Sequence, residues 1–475
     1  MTKTVETGGG LKSRLDKYFE ISARGSNFGT EVRGGLVTFV TMAYIVVLNP
    51  IILTSGTDIE GNTLSFPAVS AVTALTAGVM TILFGIVSRL PFGFAAGLGI
   101  NAFLAFSVVG QVTWPEAMAI VVINGLLIVL LALTGLRRMI FDAVPVELKL
   151  AITVGIGLFI AFIGFVNAGF VTAAGSPPVG LGVEGSVATI PTLIFVLTLL
   201  ITGILVAKKV KGGLLIGLIT GTVVSVIVEL TMHLGSSQEN EGGWGLTVPT
   251  LEGSPFSLPD LSLIGAVSFN FEKVGIITLV MLVFTLLFTN FFDAMGTFTG
   301  LSREAGLADA KGNFPRLKSA LVVEGIGAVA GGLTSSSSNT VFIESGAGIG
   351  EGARTGFANI ITGLMFIAAM FLTPLTQIVP TEVAAAALVI VGALMMSQIQ
   401  NIDFSDFRVL FPVFLTVTVM PMTYSIANGI GAGFVSWALI QGLSGKAKKV
   451  HWLMWIVAAG FLIYFARGPI QTFLG

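Results

Sequence analysis

Three carboxylate side chains lie inside long apolar stretches of the sequence: Asp293, Glu324 and Glu344. An acid at the centre of a bilayer is costly, so each needs a function or a partner. Asp293 shares one predicted helix face with Asn290 and Thr297, which are three residues before it and four after it. We interpret Asp293 as a substrate and proton site; the alternative is a polar stripe that bonds a neighbouring helix. Glu324 is interpreted as a packing or pathway residue, accessory to the site together with Asn290.

Glu344 lies in the polar run Ser335–Gly348, which interrupts an otherwise apolar part of the chain. Irregular backbone is tolerated at membrane depth only where it is buried in protein or lines a cavity. Thr340–Ile343 is predicted to be a short extended piece. Glu344 then begins a Gly/Ala-rich helix, whose N-terminus favours a carboxylate or a polar ligand. A helix broken beside an acid is typical of a transporter site, and the alternative is a simple helix cap.

The composition is that of a membrane protein. Of the 475 residues, 54% are hydrophobic and 10% are charged, whereas soluble proteins carry roughly 25% charged residues. The absence of cysteine excludes disulfide and thiolate chemistry. The two histidines, His233 and His451, lie near predicted span ends, so no histidine metal cluster is expected. The net charge of −1 gives no indication of a nucleic-acid partner.

Apolar stretches of about 17–25 residues can cross the bilayer, and the sequence predicts fourteen of them in two sets of seven. The chain is therefore expected to be an all-α polytopic membrane protein, with short extended pieces breaking segments 3 and 10. The predicted segments lie near 34–53, 66–88, 97–111, 116–136, 148–170, 190–207, 213–231, 275–296, 317–334, 340–353, 355–374, 383–399, 407–423 and 426–443. Residues 1–33 are predicted to be a cytoplasmic amphipathic segment, and the apolar stretch 452–466 is left unassigned.

The distribution of Lys and Arg supports this topology. If the N-terminus is cytoplasmic, 22 of the 24 Lys and Arg residues fall in cytoplasmic segments, as the positive-inside rule expects. Adding or removing one early span would invert the pattern. The sequence therefore predicts a multi-pass protein of the plasma membrane with its N-terminus in the cytoplasm.

The two sets of seven segments resemble each other. Residues 35–42 resemble 275–282, and the glycine-rich break 93–103 corresponds to the polar run 335–348. This offset places Asn101 opposite Glu344; the alternative is that Asn101 only satisfies loose backbone. Because seven is odd, the second copy would be inverted, and paired broken helices in inverted repeats meet at a midplane binding site.

The candidate side chains indicate a class of ligand. A carboxylate accepts N–H groups from a planar heterocycle, and a carboxyl group buried in the membrane can also carry a proton. Two acids and an amide suit a neutral, donor-rich ring such as a nucleobase better than an anion. No basic residue is predicted at mid-membrane to balance an anion.

Five motifs together resemble those of a known family. They are Thr41–Pro50 (TMAYIVVLNP), Gly97–Phe103 (GLGINAF), Asn290–Thr297 (NFFDAMGT), Asn313–Arg316 (NFPR) and Ser338–Ser345 (SNTVFIES). The sequence resembles the AzgA-like branch of the nucleobase:cation symporter-2 family, the hypoxanthine–adenine–guanine permeases, from about residue 17 to 445. That family is similar in fold to the bacterial uracil permease.

The resemblance implies a division of labour between two domains. The core domain would consist of residues 34–136 and 275–374 and would carry the substrate. The gate domain would consist of residues 148–231 and 383–443, and the core would slide against it. In the family, the gate domain often forms homodimers. The implied activity is proton-coupled uptake of purine bases by an elevator-type movement. No cofactor is implied apart from the proton as coupling ion.

The resemblance also implies roles for individual residues. The implied substrate contacts are Asn101, Asp293, Thr297, Glu344, Ser345 and the backbone near Phe342 and Ile343. Many relatives carry Asp where this chain has Asn290. An amide cannot carry a proton, so coupling is assigned to Asp293 and Glu344. Tyr44 is interpreted as shaping the end of the first helix.

Other functions stay open at this point. A uracil or xanthine carrier, or an anion carrier on the same fold, would share the architecture. A passive channel would share the spans and lack the coupling. A membrane enzyme is disfavoured because the sequence has no Gly-x-Ser-x-Gly elbow, no Walker loop and no cysteine nucleophile.

Overall fold

The computed structural model describes residues 10–135, 143–173, 178–182, 185–187, 189–240, 242–245, 247–250, 254–308 and 314–466. Within these residues, ten helices are long and apolar enough to cross a membrane. The chain is therefore mostly helical, and its strands are three residues long.

The helices of the first half are α1 (Leu11–Phe19), α2 (Phe28–Met42), α3 (Ile45–Thr54), α4 (Phe66–Ser88), α5 (Leu98–Phe103), α6 (Trp114–Thr134), α7 (Val146–Asn167), α8 (Ile190–Ala207) and α9 (Gly213–Met232). Those of the second half are α10 (Ile276–Glu304), α11 (Leu317–Leu333), α12 (Ser345–Gly350), α13 (Gly356–Ala369), α14 (Thr373–Thr376), α15 (Thr381–Met396), α16 (Phe407–Met422), α17 (Ile426–Gln441) and α18 (Trp452–Phe465). The strands are β1 (Phe94–Ala96), β2 (Val171–Ala173), β3 (Val179–Leu181) and β4 (Asn339–Val341).

Each of the fourteen predicted segments contains a helix. Ten of them satisfy the length and hydropathy needed to span. The other four hold the half-helices α5 and α12, the 17-residue α11 and the 16-residue α16. The positions of the segments are thus reproduced, and the count of fourteen crossings stays a prediction.

The helices pack in two groups. In the first, which we call the core group (α2–α6 and α10–α13), α6 lies along α11, and α4 lies along α13 and α11. In the second, the gate group (α7–α9 and α15–α17), α7 packs on α15 and α16, and α8 packs on α9. The predicted domain boundaries themselves stay a prediction.

Close helix packing in the core group depends on small residues. Where α4 ends and α13 begins, a Cβ atom on Gly356 would overlap the backbone of Gly85. A larger side chain at Gly356 would therefore push the two helices apart. Small residues of this kind allow helix backbones to approach closely in membranes.

The two broken helices cross at the centre of the core group. Strands β1 and β4 pair antiparallel, with Phe94 opposite Val341 and Ala96 opposite Asn339. The pairing satisfies backbone groups that lipid could not. Each strand is followed by a six-residue helix, α5 or α12. The predicted extended pieces in segments 3 and 10 are present, and the inverted repeat remains a prediction.

Loops that carry Lys and Arg gather at one end of the bundle, which we call the basic end. There the Arg24 guanidinium donates to the carbonyl oxygens of Arg89 (2.7 Å) and Arg354 (3.2 Å). Also at this end, Glu351 pairs with Arg33 of the core group and with Lys211 of the gate group. Of the segments predicted to be cytoplasmic, those that carry Arg24, Arg33, Arg89, Lys211 and Arg354 thus lie together.

The terminal helices dock on the bundle. At the basic end, the Tyr18 hydroxyl of α1 donates to the Ile86 carbonyl oxygen at 3.0 Å. The unassigned stretch 452–466 forms α18, which packs against α17. Its Phe461 ring also reaches Phe284 of α10, with 5.8 Å between ring centroids. Helix α18 therefore contacts both groups.

Candidate functional site

A cavity of about 340 Å³ lies where the broken helices face the gate group. Its lining residues come from the core group (Tyr44, Gly97, Leu98, Gly99, Asp293, Gly296, Thr297, Gly300, Thr340, Val341, Phe342, Ile343 and Glu344) and from the gate group (Leu150, Thr153, Val391, Leu394, Met395 and Gln398). The lining contains two carboxylates and no Lys or Arg. This composition suits a neutral ligand with N–H donors.

One face of α10 forms part of the cavity wall. Asp293, Gly296, Thr297 and Gly300 recur at three- and four-residue spacing, so they share that face. Gly296 and Gly300 leave room beside the two polar side chains. The predicted pairing of Asp293 with Thr297 is therefore found in the structure.

Glu344 is held by the first membrane segment. That segment breaks at Ala43–Tyr44, between α2 and α3. The Tyr44 hydroxyl donates a hydrogen bond of 2.5 Å to Glu344 Oε1. The Thr41 hydroxyl also lies 3.2 Å from the backbone carbonyl oxygen of Glu344. Glu344 precedes α12 directly, as predicted, and its carboxylate is oriented by a neighbouring phenol.

Ser345 and the backbone of Phe342 serve to join the two broken helices. Ser345 Oγ accepts from Gly93 N at 2.9 Å and donates to the Phe342 carbonyl oxygen at 2.6 Å. The Phe342 N–H donates to the Gly93 carbonyl oxygen at 2.9 Å. Ser345 is fully buried and is not among the lining residues. The structure therefore places Ser345 beneath the cavity, and its contact with a base stays a prediction.

Ile343, in contrast to the buried Ser345, faces the cavity. Its side chain is 59% exposed although it lies in the middle of the core group, because it faces the open cavity. Phe342 also lines the cavity but is almost entirely buried. The two residues before Glu344, Phe342 and Ile343, thus form an apolar part of the cavity lining, against which a planar ring can lie.

Asn101 is fully buried in α5 and does not line the cavity. The cavity wall on this side is made by Gly97, Leu98 and Gly99. Among the described residues, the Asn101 amide has no hydrogen-bond partner. Asn101 thus lies on the predicted broken helix, and its contact with a base stays a prediction.

Asn290 and Glu324 support the site from behind. The Asn290 amide donates to Ser338 Oγ at 2.8 Å, and both side chains are fully buried. This bond ties α10 to the polar run. Glu324 is also fully buried, on α11, and lies close enough to Asp293 for direct electrostatic interaction. Neither Asn290 nor Glu324 lines the cavity, which agrees with their accessory assignment.

The cavity lies one short helix away from the basic end, because Glu344 lines the cavity and Glu351, at the other end of α12, belongs to the basic end. Leu150 directly follows Lys149, and Gly300 lies three residues before Arg303, two basic residues of segments predicted to be cytoplasmic. Leu394 and Gly300 are exposed although they lie on inward-facing parts of the bundle. The cavity is thus close to the basic end, and access to Asp293 and Glu344 from that side is part of the function proposed below.

Four polar lining residues are not assigned to the site from the sequence: Tyr44, Thr153, Thr340 and Gln398. Tyr44 does lie at the break between α2 and α3, as its interpretation as a helix-shaping residue expects, and it also lines the cavity. A lone phenol in an apolar span was the available signal. Thr153 and Gln398 carry no such signal, because threonine and glutamine near span ends are common.

The fold and the site define a class of protein: a membrane transporter whose ligand cavity lies at two interrupted helices. A model of the Permease family, Xan_ur_permease, matches residues 29–432, and the chain belongs to this family. It is a multi-pass permease and not an enzyme. The resemblance to the hypoxanthine–adenine–guanine permeases is confirmed by the relatives described next.

Two curated relatives match over nearly their whole length. The guanine/hypoxanthine permease PbuG of Bacillus subtilis (strain 168) is 37% identical over 460 residues, covering 95% of this chain and 99% of that protein. The adenine permease AdeP of Escherichia coli (strain K12) is 33% identical over 468 residues, covering 97% of each. Both relatives are thus similar to this chain from end to end.

A solved structure shares the fold. The transmembrane domain of a cyanobacterium bicarbonate transporter, BicA, superposes with a TM-score of 0.60 at 15% identity, covering 86% of this chain and 97% of that one. At this identity the likeness concerns architecture alone. It agrees with the mixture of spanning and broken helices described above.

Proposed function

We propose that this protein is a proton-coupled symporter that imports purine bases, namely adenine, guanine and hypoxanthine. The observation that carries the proposal is the cavity that presents Asp293 and Glu344 and no basic side chain. A carboxylate accepts the N–H groups of a purine. The similarity to guanine/hypoxanthine and adenine permeases supports the same class of substrate.

The proposed coupling uses the two carboxyl groups that face the cavity. Two such groups repel each other when both are ionised, so a proton is a natural partner of the site. Asp293 and Glu344 are the acids that line the cavity. A proton that enters with the base and leaves with it would link transport to the proton gradient.

The proposed movement is a slide of the core group against the gate group. The acids belong to the core group, and the facing wall belongs to the gate group. A core group that moves as one body would carry the base past that wall and expose it to each side in turn. The tight packing of α4, α6, α11 and α13 supports a rigid core.

The proposed location is the plasma membrane, with the N-terminus and the basic end in the cytoplasm. The gathering of Lys and Arg at one end supports this orientation. A homodimer through the gate group stays a prediction.

Two other classes of substrate are each favoured by one observation. The fold of a bicarbonate transporter is shared, but an anion would face two carboxylates and no cation in the cavity. Uracil or xanthine would satisfy the same acids as adenine, guanine or hypoxanthine. Competition of adenine, hypoxanthine, xanthine, uracil and sulfate for uptake separates these possibilities.

The test is uptake of radiolabelled hypoxanthine and adenine by cells that produce Asp293→Asn or Glu344→Gln. We expect concentrative uptake to be lost while the amount of protein in the membrane is unchanged. Collapse of the proton gradient should abolish accumulation in the parent protein. Normal accumulation in both variants would reject the proposal, and downhill flux that survives gradient collapse would indicate a channel.

A further inference from the structure

We propose that Thr153 and Gln398 form a gate-side subsite that binds the imidazole edge of the purine while the cavity is open at the basic end. The inference rests on the proposed function and extends it from the core group to the facing wall. The relevant surface, which we call the gate wall, consists of Leu150, Thr153, Val391, Leu394, Met395 and Gln398.

The two sides of the cavity differ in their polar groups. The core side presents the hydroxyls of Tyr44, Thr297 and Thr340 and the carboxylates of Asp293 and Glu344. The gate wall is apolar except for Thr153 and Gln398. Any polar atom of a ligand that faces the gate wall must therefore pair with one of these two side chains or lose its hydrogen bond to water.

The inferred orientation places the six-membered ring of the purine against the core side. The carboxylates can only accept hydrogen bonds when ionised, and in this orientation they accept from N1–H of hypoxanthine. The imidazole edge, with N7 as acceptor and the N–H at N9, then faces the gate wall. A donor on the gate wall is needed there.

Gln398 has such a donor available. Its Oε1 accepts a hydrogen bond from Asn401 Nδ2 at 3.1 Å. Its own amide N–H groups have no hydrogen-bond acceptor among the described residues, and the side chain is half-buried in the cavity wall. The bond from Asn401 holds the amide in place and leaves its N–H groups for a ligand.

Thr153 lies beside the same space. Its hydroxyl is 3.5 Å from the Lys149 carbonyl oxygen, at the limit of a hydrogen bond. One turn further along α7, Ile156 packs against α5, where a Cβ atom on Gly99 would lie 2.9 Å from Ile156 Cγ2. This contact brings α7 next to a broken helix, so Thr153 lies close to the ligand space.

The gate wall is not part of the core group. If the core group slides, it carries Asp293 and Glu344 with the base, and Thr153 and Gln398 stay behind. The gate-side contacts then exist in one state only. They would tune the affinity for the base at the basic end without being required for recognition.

The test needs the protein held in the state described here. Lys211 of the gate group pairs with Glu351 of the core group in this state, and the chain has no native cysteine. Cysteines at these two positions, joined by a bifunctional thiol reagent, lock the open basic end. Binding of hypoxanthine and of its analogue with C–H in place of N7 is then measured at equilibrium on the purified, locked protein.

We expect Gln398→Met and Thr153→Val to weaken hypoxanthine binding about threefold to tenfold each, the loss of one hydrogen bond. The parent should discriminate against the N7-lacking analogue by a similar factor, and Gln398→Met should lose this discrimination. Gln400→Met is the matched control, because Gln400 lies two residues away, is exposed and does not line the cavity.

Two outcomes would overturn the inference: hypoxanthine binding as tight as the parent's in both variants, or undiminished discrimination against the analogue in Gln398→Met. Circular dichroism and thermal unfolding of each variant identify a folding defect, and Thr153→Val tests the subsite independently of Gln398. If the locked parent binds hypoxanthine and a locked Asp293→Asn variant does not, the proposed function is supported even if the gate-side inference fails. A locked parent that binds no purine rejects both.

Discussion

The Tyr44 hydroxyl donates a hydrogen bond of 2.5 Å to Oε1 of Glu344, and thereby connects the break in the first membrane segment to the start of α12. Tyr44 is almost fully buried but lines the cavity. The phenol fixes one carboxylate oxygen, which leaves the other to a ligand. Tyr44 is thus a positioning residue for the acid at the broken helix.

Tyr44→Phe should raise the KM for hypoxanthine about tenfold and change kcat little. A hydrogen bond to a charged group contributes about 1.5–3 kcal/mol, part of which the freed carboxylate regains from the ligand. Initial rates of uptake across a range of hypoxanthine concentrations measure the split between KM and kcat. Tyr424→Phe is the control, because Tyr424 packs among the rings of Phe106 and Phe159 outside the cavity. An unchanged KM in Tyr44→Phe would contradict the positioning role.

Lys211→Gln should reduce the population of the state that is open at the basic end. Lys211 pairs with Glu351 across the two groups, and such an exposed pair is worth about 0.2–1 kcal/mol. The measurement is the labelling rate of Leu394→Cys, a single cysteine on the gate wall, by a membrane-impermeant maleimide applied from the side of the basic end.

We expect labelling of Leu394→Cys to slow by up to about fivefold in Lys211→Gln. The matched control is Lys208→Gln, since Lys208 is exposed and forms no ion pair among the described residues. Equal rates in the two lysine variants would argue against a role of the pair in the equilibrium.

Glu31→Ala should destabilise the core group at the basic end. Glu31 is fully buried in α2. Its oxygens accept hydrogen bonds from Arg354 N (2.9 Å) and from the Thr355 hydroxyl (2.9 Å), at the start of α13. Loss of these bonds should cost about 1.5–3 kcal/mol or more, because buried donors lose their acceptor.

A lower thermal unfolding temperature of the purified Glu31→Ala protein is the expected readout. Glu60→Gln provides the comparison, since Glu60 is exposed and pairs only with exposed Lys273 in the described structure. If Glu31→Ala unfolds at the same temperature as the parent, Arg354 and Thr355 must find other hydrogen-bond acceptors.

Asp58 lies in a loop between two membrane-spanning segments. We expect the stability of the protein to depend on pH through this residue. Burial alone would raise the pKa of Asp58, but hydrogen bonds from the backbone N–H groups of Asn62, Trp114 and Glu60 hold this pKa below its usual value. A carboxyl group whose folded pKa is lowered stabilises the fold above its unfolded pKa of about 3.9, and the stabilisation is lost as the pH falls through the folded pKa.

The difference in unfolding temperature between the parent and Asp58→Asn should therefore be largest near pH 6 and shrink below about pH 4. Thermal unfolding in detergent between pH 6 and pH 3 measures it. A difference that stays constant over this range would mean that the charge of Asp58 has no part in the stability.

Much of the fold could be predicted because the bilayer restricts what a sequence can do. The length of the apolar stretches determines where the membrane segments lie. A polar run such as Ser335–Gly348 must interrupt a helix at a place where protein shields its backbone from lipid. The same reasoning located β4, α12 and Glu344. Asp293 was found because a lone acid on an apolar helix is too costly to keep unless it serves a site.

The rotation of the short helices could not be predicted. Helix α5 has six residues before the backbone continues as a π-helix over Leu104–Val108, so the sequence does not define which side faces the cavity. Asn101 is fully buried there, and its contact with a base stays a prediction. The hydroxyl of Ser345 bonds Gly93 in the other broken helix, a contact that the sequence does not indicate, and its contact with a base stays a prediction. Such contacts depend on how distant parts of the chain meet.

Helix α12 is six residues long and is flanked by two acids, Glu344 at the cavity and Glu351 at the basic end. The two acids are therefore joined by one short stretch of backbone, and the second acid is the partner of Lys211 in the gate group. In the movement proposed above, a ligand that shifts Glu344 would also shift Glu351 and weaken its pair with Lys211, so binding would favour release of the core group.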